Sequence, residues 1–326
     1  MTGFAPKDSL HLPRFCDVPT FMRLPRADGV AGLDVGVLGL PSDNGSPFRT
    51  GARFGPNAIR AMSIMLRPIN PYHEADGRSG GVDVFERLAV ADLGDAPVIP
   101  GYMIETLAAI EQSVAAVIDG GASPLCLGGD HGVSIAEIRA LAKHHGPLSL
   151  VHFDSHTDTW DTYFGGMPHS AGTPFRRAVE EGLVDPARSI QIGMRGSLFS
   201  PDDIAQSIKL GFQVVTTDAL FARPFAALAD DIRARTAGGP VFLSFDMDFV
   251  DPSAAPGVQT PEAGGPTQRE TLSLIRTLTG LRIVGADVVE TNPQFDGPSQ
   301  ITALLAATVA AEILALMAVA KGAEGR

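Results

Sequence analysis

Short apolar runs alternate along this chain with segments whose apolar residues repeat at helical spacing. Strands that alternate with helices form a mainly parallel sheet with helices on both faces. The sequence therefore predicts an α/β fold, a three-layer sandwich around a sheet of about eight strands. The predicted strands are Leu33–Leu40, Leu88–Leu93, Pro124–Leu127, Leu148–Phe153, Ser189–Gly193, Phe212–Thr216, Val241–Phe245 and Leu281–Val289.

Helical spacing is clearest in one segment, where apolar residues step by four, three, four and three and so share one helix face. These residues are Met103, Leu107, Ile110, Val114 and Val117. Further helices are expected at Pro56–Met65, Val133–His144, Pro174–Glu181, Gln268–Leu278 and Ser299–Ala320. No change of composition marks a linker and no repeat is visible. We therefore expect one domain over residues 1–326, with an N-terminal arm (1–30) and a C-terminal helix (299–321).

Composition narrows the class of protein. Apolar residues make up 44% of the chain and charged residues 19%, which supports a sizeable core and argues against disorder. The formal net charge of −12 disfavours a nucleic-acid surface and suits cationic ligands. The two cysteines, Cys16 and Cys126, form no spaced motif, so neither a disulfide framework nor a thiolate zinc site is expected.

The most apolar segment, Ile301–Ala320, carries Glu312 near its middle, and a carboxylate there would be costly in lipid. A buried or interface helix is the better interpretation, and no membrane partner is expected. The N-terminal residues lack the apolar core of a signal peptide. The sequence thus favours a cytoplasmic protein.

Polar residues gather where the predicted strands end. Four such groups each follow a predicted strand: GGDH (Gly128–His131), DSHTD (Asp154–Asp158), DMD (Asp246–Asp248) and Glu290. Parallel sheets bind ligands at the carboxyl ends of their strands. This edge would bring together four carboxylates and two imidazoles, namely His131, Asp154, His156, Asp158, Asp246 and Asp248.

Four neighbouring carboxylates cannot all remain ionised without compensation, and two divalent cations would balance their charge. Six ligands also exceed what one open catalytic metal accepts, but they suit two metals that share bridging carboxylates. Oxygen-rich ligation with two imidazoles favours Mn²⁺, with Ni²⁺ as the alternative and zinc less suited. Each motif alone also fits an ordinary turn or an acidic surface cluster. Their conjunction at strand ends favours the metal site.

Three segments resemble the metal-binding signatures of the ureohydrolases, the arginase and agmatinase family: GGDHGVS (128–134), HFDSHTDT (152–159) and SFDMDFVDP (244–252). Three more segments resemble other parts of the family sequence and occur in the order that the family uses: Gly39–Ser63, Pro256–Glu270 and Asp287–Pro293. The likeness is closer to agmatinase-like members than to arginase. It implies an arginase-like fold and a binuclear manganese-type site with the six ligands named above.

The resemblance also implies roles in catalysis. Asp158 would orient the attacking hydroxide and handle its proton, and Glu290 would bind the guanidinium group. Hydroxide would add to the guanidinium carbon, and the tetrahedral intermediate would collapse to urea and an amine. Glu290 could instead be a structural partner of a nearby arginine.

The chain departs from the family pattern in the loop after Asp158. Agmatinase-like members tend to place a proton-shuttling histidine immediately before Gly-Thr. Here two residues separate His169 from Gly172. His169 is the candidate shuttle, with a surface loop histidine as the alternative. Tyr163 and Met167 are expected at the pocket mouth.

A second departure lies near Thr260, a candidate substrate contact. Gly257, Val258 and Gln259 stand where the family often has Gly-Thr-Gly. Arg49 and Arg53 could bind a substrate carboxylate, although local ion pairing is favoured. The segment Asn70–Phe85 is predicted to be a long loop, either a lid, a subunit contact or a solvent-exposed loop.

The resemblance therefore implies a small cationic guanidino substrate, such as agmatine, guanidinobutyrate or guanidinopropionate. One alternative is a nickel-dependent hydrolase of guanidine or of a small guanidine or biguanide such as metformin. Another is a non-catalytic subunit of a ureohydrolase-like complex. From the family we expect a homotrimer or homohexamer, while a hetero-oligomer remains open.

Overall fold

The computed structural model describes residues 4–73 and 80–324. Eight strands form one sheet in the order β4-β1-β5-β10-β9-β6-β7-β8, and every neighbouring pair is parallel. They are β1 (Val35–Leu40), β4 (Val90–Asp95), β5 (Ser123–Gly128), β6 (Ser149–Phe153), β7 (Ile190–Met194), β8 (Gln213–Thr216), β9 (Val241–Asp246) and β10 (Ile283–Val289). Each corresponds to a predicted strand, with small shifts at the ends.

The helices that cover the sheet are α1 (Gly55–Ser63), α2 (Val84–Arg87), α3 (Met103–Asp119), α4 (Ser134–His145), α5 (Pro174–Glu180), α6 (Asp203–Leu210), α7 (Thr217–Phe221), α8 (Phe225–Thr236), α9 (Gln268–Arg276) and α10 (Ile301–Glu324). All predicted helices are present. The short α2, α6 and α7 and the alanine-rich α8 were not predicted. Their apolar stripes are too short to stand out from loops.

The helices lie in two layers because side chains alternate along each strand. Val37 and Leu127 belong to one core cluster with residues of α1, α8, α9 and α10. Leu38 and Cys126, their neighbours in β1 and β5, belong to a second cluster with residues of α3, α4 and α5. The predicted three-layer α/β sandwich is therefore confirmed.

Helix α10 packs in the first of these layers. Its residues Ile301–Gly322 are long and apolar enough to cross a membrane by composition alone, but 72% of the most apolar window is buried inside the protein. Glu312 is buried with polar partners: it accepts hydrogen bonds from Arg276 Nε at 2.7 Å and Asn70 Nδ2 at 2.7 Å. The predicted buried helix is confirmed.

The prediction of an uninterrupted loop over Asn70–Phe85 is wrong in part. β2 (Ile69–Asn70) and β3 (Val82–Asp83) pair antiparallel, and α2 begins directly afterwards at Val84. Asp83 caps α2 by accepting from the backbone N–H groups of Phe85 and Glu86. The two-residue strands leave too little pattern to recognise in sequence. The central residues 74–79 of this segment, for which a lid, a subunit contact and an exposed loop were the alternatives, lie outside the described residues.

The strand order positions the polar motifs. GGDH follows β5, Glu290 follows β10, DMD ends and follows β9, and DSHTD follows β6, and these four strands are consecutive neighbours in the sheet. Phe153 pairs with Phe245, and Val289 pairs with Asp246. The four motifs therefore leave the sheet at nearly the same level and meet at one edge.

Candidate active site

Three carboxylates surround one ring nitrogen of His131. Its Nδ1 lies 2.9 Å from Asp158 Oδ2 and 3.1 Å from both Asp154 Oδ2 and Asp246 Oδ2. His131 is buried, and Nδ1 nevertheless makes no hydrogen bond of acceptable geometry. A buried polar atom without such a bond needs a partner. Four ligand atoms that converge in this way fit a divalent cation.

A second group of ligands lies beside the first. His156 Nδ1 is 3.1 Å from Asp248 Oδ2 and 3.4 Å from Asp154 Oδ1. Asp154 thus offers one carboxylate oxygen to each group, which is the arrangement of a carboxylate that bridges two metals. The structure brings together all six predicted ligands, although their coordination of metal remains a prediction.

The electrostatics of the cluster also suit cations. Burial and the neighbouring carboxylates Asp248 and Asp154 raise the pKa of Asp246 well above its usual range. Burial and Asp154 likewise raise the pKa of Asp158. Burial opposes ionisation of Asp154 as well, but His152 and His131 hold its pKa well below the usual value. The negative charge concentrated here is what divalent cations would offset.

Buried polar residues behind the ligands orient them. His131 Nε2 lies 2.8 Å from Ser244 Oγ, which donates to Asp287 Oδ1 at 2.7 Å. Ser155 Oγ donates to Asp248 Oδ1 at 2.6 Å. Such contacts orient metal ligands and tune their basicity. None of these partners was predicted from sequence, because serine at a strand end carries no distinctive pattern.

His152 is a further member of this buried network. Its Nε2 lies 2.8 Å from Asp154 Oδ2, and its Nδ1 lies 3.0 Å from Gln191 Nε2. Its ring nitrogens therefore already have partners, as expected for a hydrogen-bonded core histidine. It orients the carboxylate that the two ligand groups share.

Glu290 is held through one of its two oxygens. Oε1 accepts from the backbone N–H of His131 and from Gln259 Nε2, both at 2.8 Å. Oε2 is buried and has no hydrogen-bond partner. Burial, with the charges of Asp246 and Asp130, raises the pKa of Glu290 well above its usual range. A cationic donor at Oε2 would satisfy this oxygen and favour the ionised carboxylate.

Asp158 and Glu290 also share a backbone conformation that is rare for residues with side chains. Their φ angles are +49° and +64°. This left-handed region costs free energy for any residue other than glycine and recurs at functional sites. Both residues were assigned catalytic roles from sequence, so the strain coincides with the predicted chemistry.

Comparison with known proteins agrees with this geometry. The sequence matches the arginase family over residues 33–316. It is 44% identical to guanidinopropionase of Pseudomonas aeruginosa, with 96% of each chain covered. It is 40% identical to the mitochondrial agmatinase of Gallus gallus, with 96% of this chain and 89% of that protein covered. This chain belongs to the arginase family.

A solved structure extends the likeness to the fold. Proclavaminate amidinohydrolase of Streptomyces clavuligerus superposes with a TM-score of 0.88 at 38% identity, with 94% of this chain and 99% of that chain covered. The predicted family and arginase-like fold are confirmed. This member of the arginase family is a metal-dependent amidinohydrolase that acts on guanidino compounds.

A cavity of about 490 Å³ opens over the ligands of this arginase-family site. Asp158, Glu290, Tyr163 and Thr260 line it, as the sequence analysis expected. Thr260 also donates to Asp248 Oδ2 at 3.1 Å. Met167 pairs with Tyr163 through backbone hydrogen bonds and is largely exposed, outside the cavity wall. Its predicted role as a substrate contact has no support from this placement.

His169 also lies outside the cavity wall. It is half-buried, and burial together with the positive charges of Arg139 and Arg177 lowers its pKa. Ala171, which immediately precedes Gly172, lines the cavity at the position where agmatinase-like members tend to have histidine. The structure thus separates His169 from the catalytic groups, and its function as a proton shuttle remains a prediction.

Gln259 is the residue whose importance only the structure makes visible. The sequence marked it as a departure from the family pattern, but not as a contact of Glu290. It is buried, and its side chain fixes one oxygen of the candidate guanidinium-binding carboxylate. The departure from Gly-Thr-Gly therefore supplies a positioning residue.

Proposed function

We propose that the protein hydrolyses a guanidino compound to urea and an amine in a site that holds two divalent cations, with Mn²⁺ as the preferred metal. The observation that carries this proposal is Glu290, which lines the cavity above the candidate ligands and whose buried Oε2 has no hydrogen-bond partner. A guanidinium group offers planar N–H donors that suit a carboxylate. The agmatinase and guanidinopropionase relatives support the same reaction class.

The cations, when bound by the six candidate ligands, would supply a water ionised near neutral pH. Glu290 would hold the guanidinium with its carbon above the ligand cluster. Asp158 lines the cavity, where its carboxyl group would take a proton and deliver it to the departing amine. Addition of water to the guanidinium carbon and cleavage of one C–N bond then give urea and the amine.

The size of the cavity bears on the alternatives. A volume of about 490 Å³ leaves room for a substituent much larger than hydrogen, which favours a substituted guanidine over guanidine itself. Convergence of all candidate ligands with Glu290 supports catalysis over a non-catalytic subunit. The donor set accommodates Ni²⁺ as well as Mn²⁺. We therefore retain the nickel-dependent hydrolase as the second candidate.

The test is urea release from metal-stripped protein reloaded separately with Mn²⁺ or Ni²⁺. The substrates are agmatine, guanidinobutyrate, guanidinopropionate, arginine, guanidine and dimethylbiguanide. Turnover of a substituted guanidine with Mn²⁺ supports the proposal. Activity only with Ni²⁺ on guanidine or the biguanide supports the second candidate, and no urea with either metal contradicts both.

Three expectations accompany this proposal. We propose a homotrimer or homohexamer, and light scattering coupled to size-exclusion chromatography would give the subunit number. We also propose a single catalytic domain and a cytoplasmic location, as the sequence favoured. A partner chain that copurifies in fixed ratio would replace the homo-oligomer with a hetero-oligomer.

A further inference from the structure

We infer that this site selects guanidines whose tail carries no carboxylate, that is, tails of hydrocarbon or aromatic character that are neutral or positively charged. The inference rests on the proposed function, because it concerns the part of the substrate that extends away from Glu290. It separates this chain from relatives named for guanidino acids, such as guanidinopropionase and guanidinobutyrase of Pseudomonas aeruginosa.

The outer wall of the cavity is aromatic. Trp160, Tyr163 and Phe199 line it, with ring centroids 5.1 Å apart for Trp160 and Tyr163 and 5.7 Å apart for Trp160 and Phe199. Phe164 continues the row 5.2 Å from Tyr163. Phe199 is 86% exposed and Phe164 61% exposed. Large aromatic side chains left in water around a cavity mouth mark a binding surface for apolar groups.

Apart from His156, a candidate metal ligand, the charged residues that line the cavity are acidic. Among the described residues that line it, none is lysine or arginine. Glu262 adds a carboxylate to the wall, away from the six candidate ligands and Glu290. A carboxylate tail would lose hydration against aromatic rings, meet the negative charge of Glu262 and find no cation to pair with. A neutral apolar tail avoids these costs, and a cationic tail gains attraction to Glu262 and to the ring faces.

The described arginines near the cavity are engaged elsewhere. Arg195 donates to the backbone carbonyls of Glu262 and Asp248, at 2.8 and 2.7 Å, and so lies beneath the wall. The guanidinium of Arg49 lies beside the wall, 5.3 Å from the ring centroid of Phe48, which lines the cavity, and 4.6 Å from that of Phe295. Arg53 forms an ion pair with the buried Asp43, as sequence analysis favoured. None of these cations lines the cavity.

The test compares tails that match in length and differ in charge. Butylguanidine, agmatine and 4-guanidinobutyrate each carry four carbons, ending in methyl, ammonium and carboxylate respectively. With the metal that gives the highest activity, we expect kcat/KM for butylguanidine and for agmatine to exceed that for guanidinobutyrate by about tenfold or more. Equal or higher kcat/KM for guanidinobutyrate overturns the inference while leaving the proposed function intact. No urea from any of the three, with turnover of guanidinopropionate, overturns the inference alone, and no urea from the whole set of guanidino substrates overturns both.

Two variants locate the selectivity. Glu262→Gln removes the charge at nearly constant size, and the backbone carbonyl that binds Arg195 is retained. We expect the agmatine-to-guanidinobutyrate ratio of kcat/KM to fall several-fold in Glu262→Gln and to stay unchanged in Glu105→Gln, an exposed acid on α3 remote from the cavity. If Arg49→Met instead abolishes turnover of a preferred guanidinobutyrate, Arg49 binds the tail and the inference is wrong.

Discussion

At the scale of single residues, two of the residues assigned to catalysis, Asp158 and Glu290, are non-glycine residues in the left-handed conformation. Asp158 Oδ2 lies 2.9 Å from Nδ1 of His131, and Glu290 Oε2 is buried without a hydrogen-bond partner. A protein keeps such backbone strain only where the surrounding contacts enforce it. The geometry therefore assigns different duties to the two carboxylates.

Substituting Asp158 should remove a candidate ligand and the proton acceptor together. We expect Asp158→Asn to reduce kcat for urea release by about 100-fold or more and to reduce bound metal. Kinetics and metal analysis of the same sample measure both effects. Asp161→Asn, an exposed acid in the same loop paired with Arg177, is the control and should keep activity. Turnover near wild type in Asp158→Asn would remove Asp158 from the mechanism.

Glu290 should act on substrate and not on metal. Glu290→Gln removes a charge-assisted hydrogen bond to the guanidinium, and we expect kcat/KM to fall about 10- to 100-fold with metal content unchanged. Steady-state kinetics and metal analysis distinguish the two roles. Loss of metal in this variant would make Glu290 part of the metal site instead.

At the scale of elements, buried polar contacts connect α10 to the rest of the protein. Glu312 in α10 binds Arg276 of α9, Asn70 of β2 and the buried His73, whose Nε2 lies 3.4 Å from Oε2. Arg276 also lies over the ring of Tyr72, 3.4 Å from its centroid. Glu312 thus fixes α10 against α9 and the small antiparallel pair.

Breaking this network should destabilise the protein in a pH-dependent way. Burial opposes ionisation of Glu312, but His73, Arg276 and Asn70 bind the carboxylate and lower its pKa. The stability that ionised Glu312 gives the folded protein is therefore complete above the pKa of Glu312 in the unfolded state. It is lost as pH falls through the lower pKa of the folded state. We expect Glu312→Gln to lower the free energy of unfolding by about 2 kcal/mol at neutral pH.

Urea unfolding of wild type and Glu312→Gln at several pH values measures this difference. The difference in free energy of unfolding between the two proteins should narrow as pH falls below 4.5, the usual pKa of a glutamate. Glu105→Gln, which changes an exposed acid, controls for the change in net charge. A difference in free energy of unfolding that is constant with pH would mean that the network stabilises the protein by packing alone.

At the scale of the whole molecule, the ends of four strands meet where negative charge is concentrated. Chelation of the cations should destabilise the entire sheet, since any ion that binds only the folded state adds stability by mass action. We expect the melting temperature to fall by about 5 °C or more after metal removal and to recover with Mn²⁺. Asp246→Asn should reduce the fall in melting temperature that follows metal removal. A melting temperature insensitive to chelator and to added metal would argue against the site.

Much of this fold and site could be predicted from sequence because the signals are local. Alternating periodicities predicted every strand of the large sheet, and the residues at the ends of three strands contain all six candidate ligands. Each motif alone also fits an ordinary turn or a surface cluster, so it was their conjunction at strand ends that was informative. The short helices α6 and α7 carry too few apolar residues for the same reasoning to succeed.

The strand order, by contrast, was decided by the tertiary structure. Crossover connections place β5, β10, β9 and β6 side by side, and contacts across more than a hundred residues then set the details of the site. Gln259 reaches Glu290 across 31 residues of sequence and leaves one oxygen free for substrate. His169, two residues from the expected register, lies outside the cavity. Sequence specified which groups carry the chemistry, while packing decided which atoms remain available, because availability depends on distant partners.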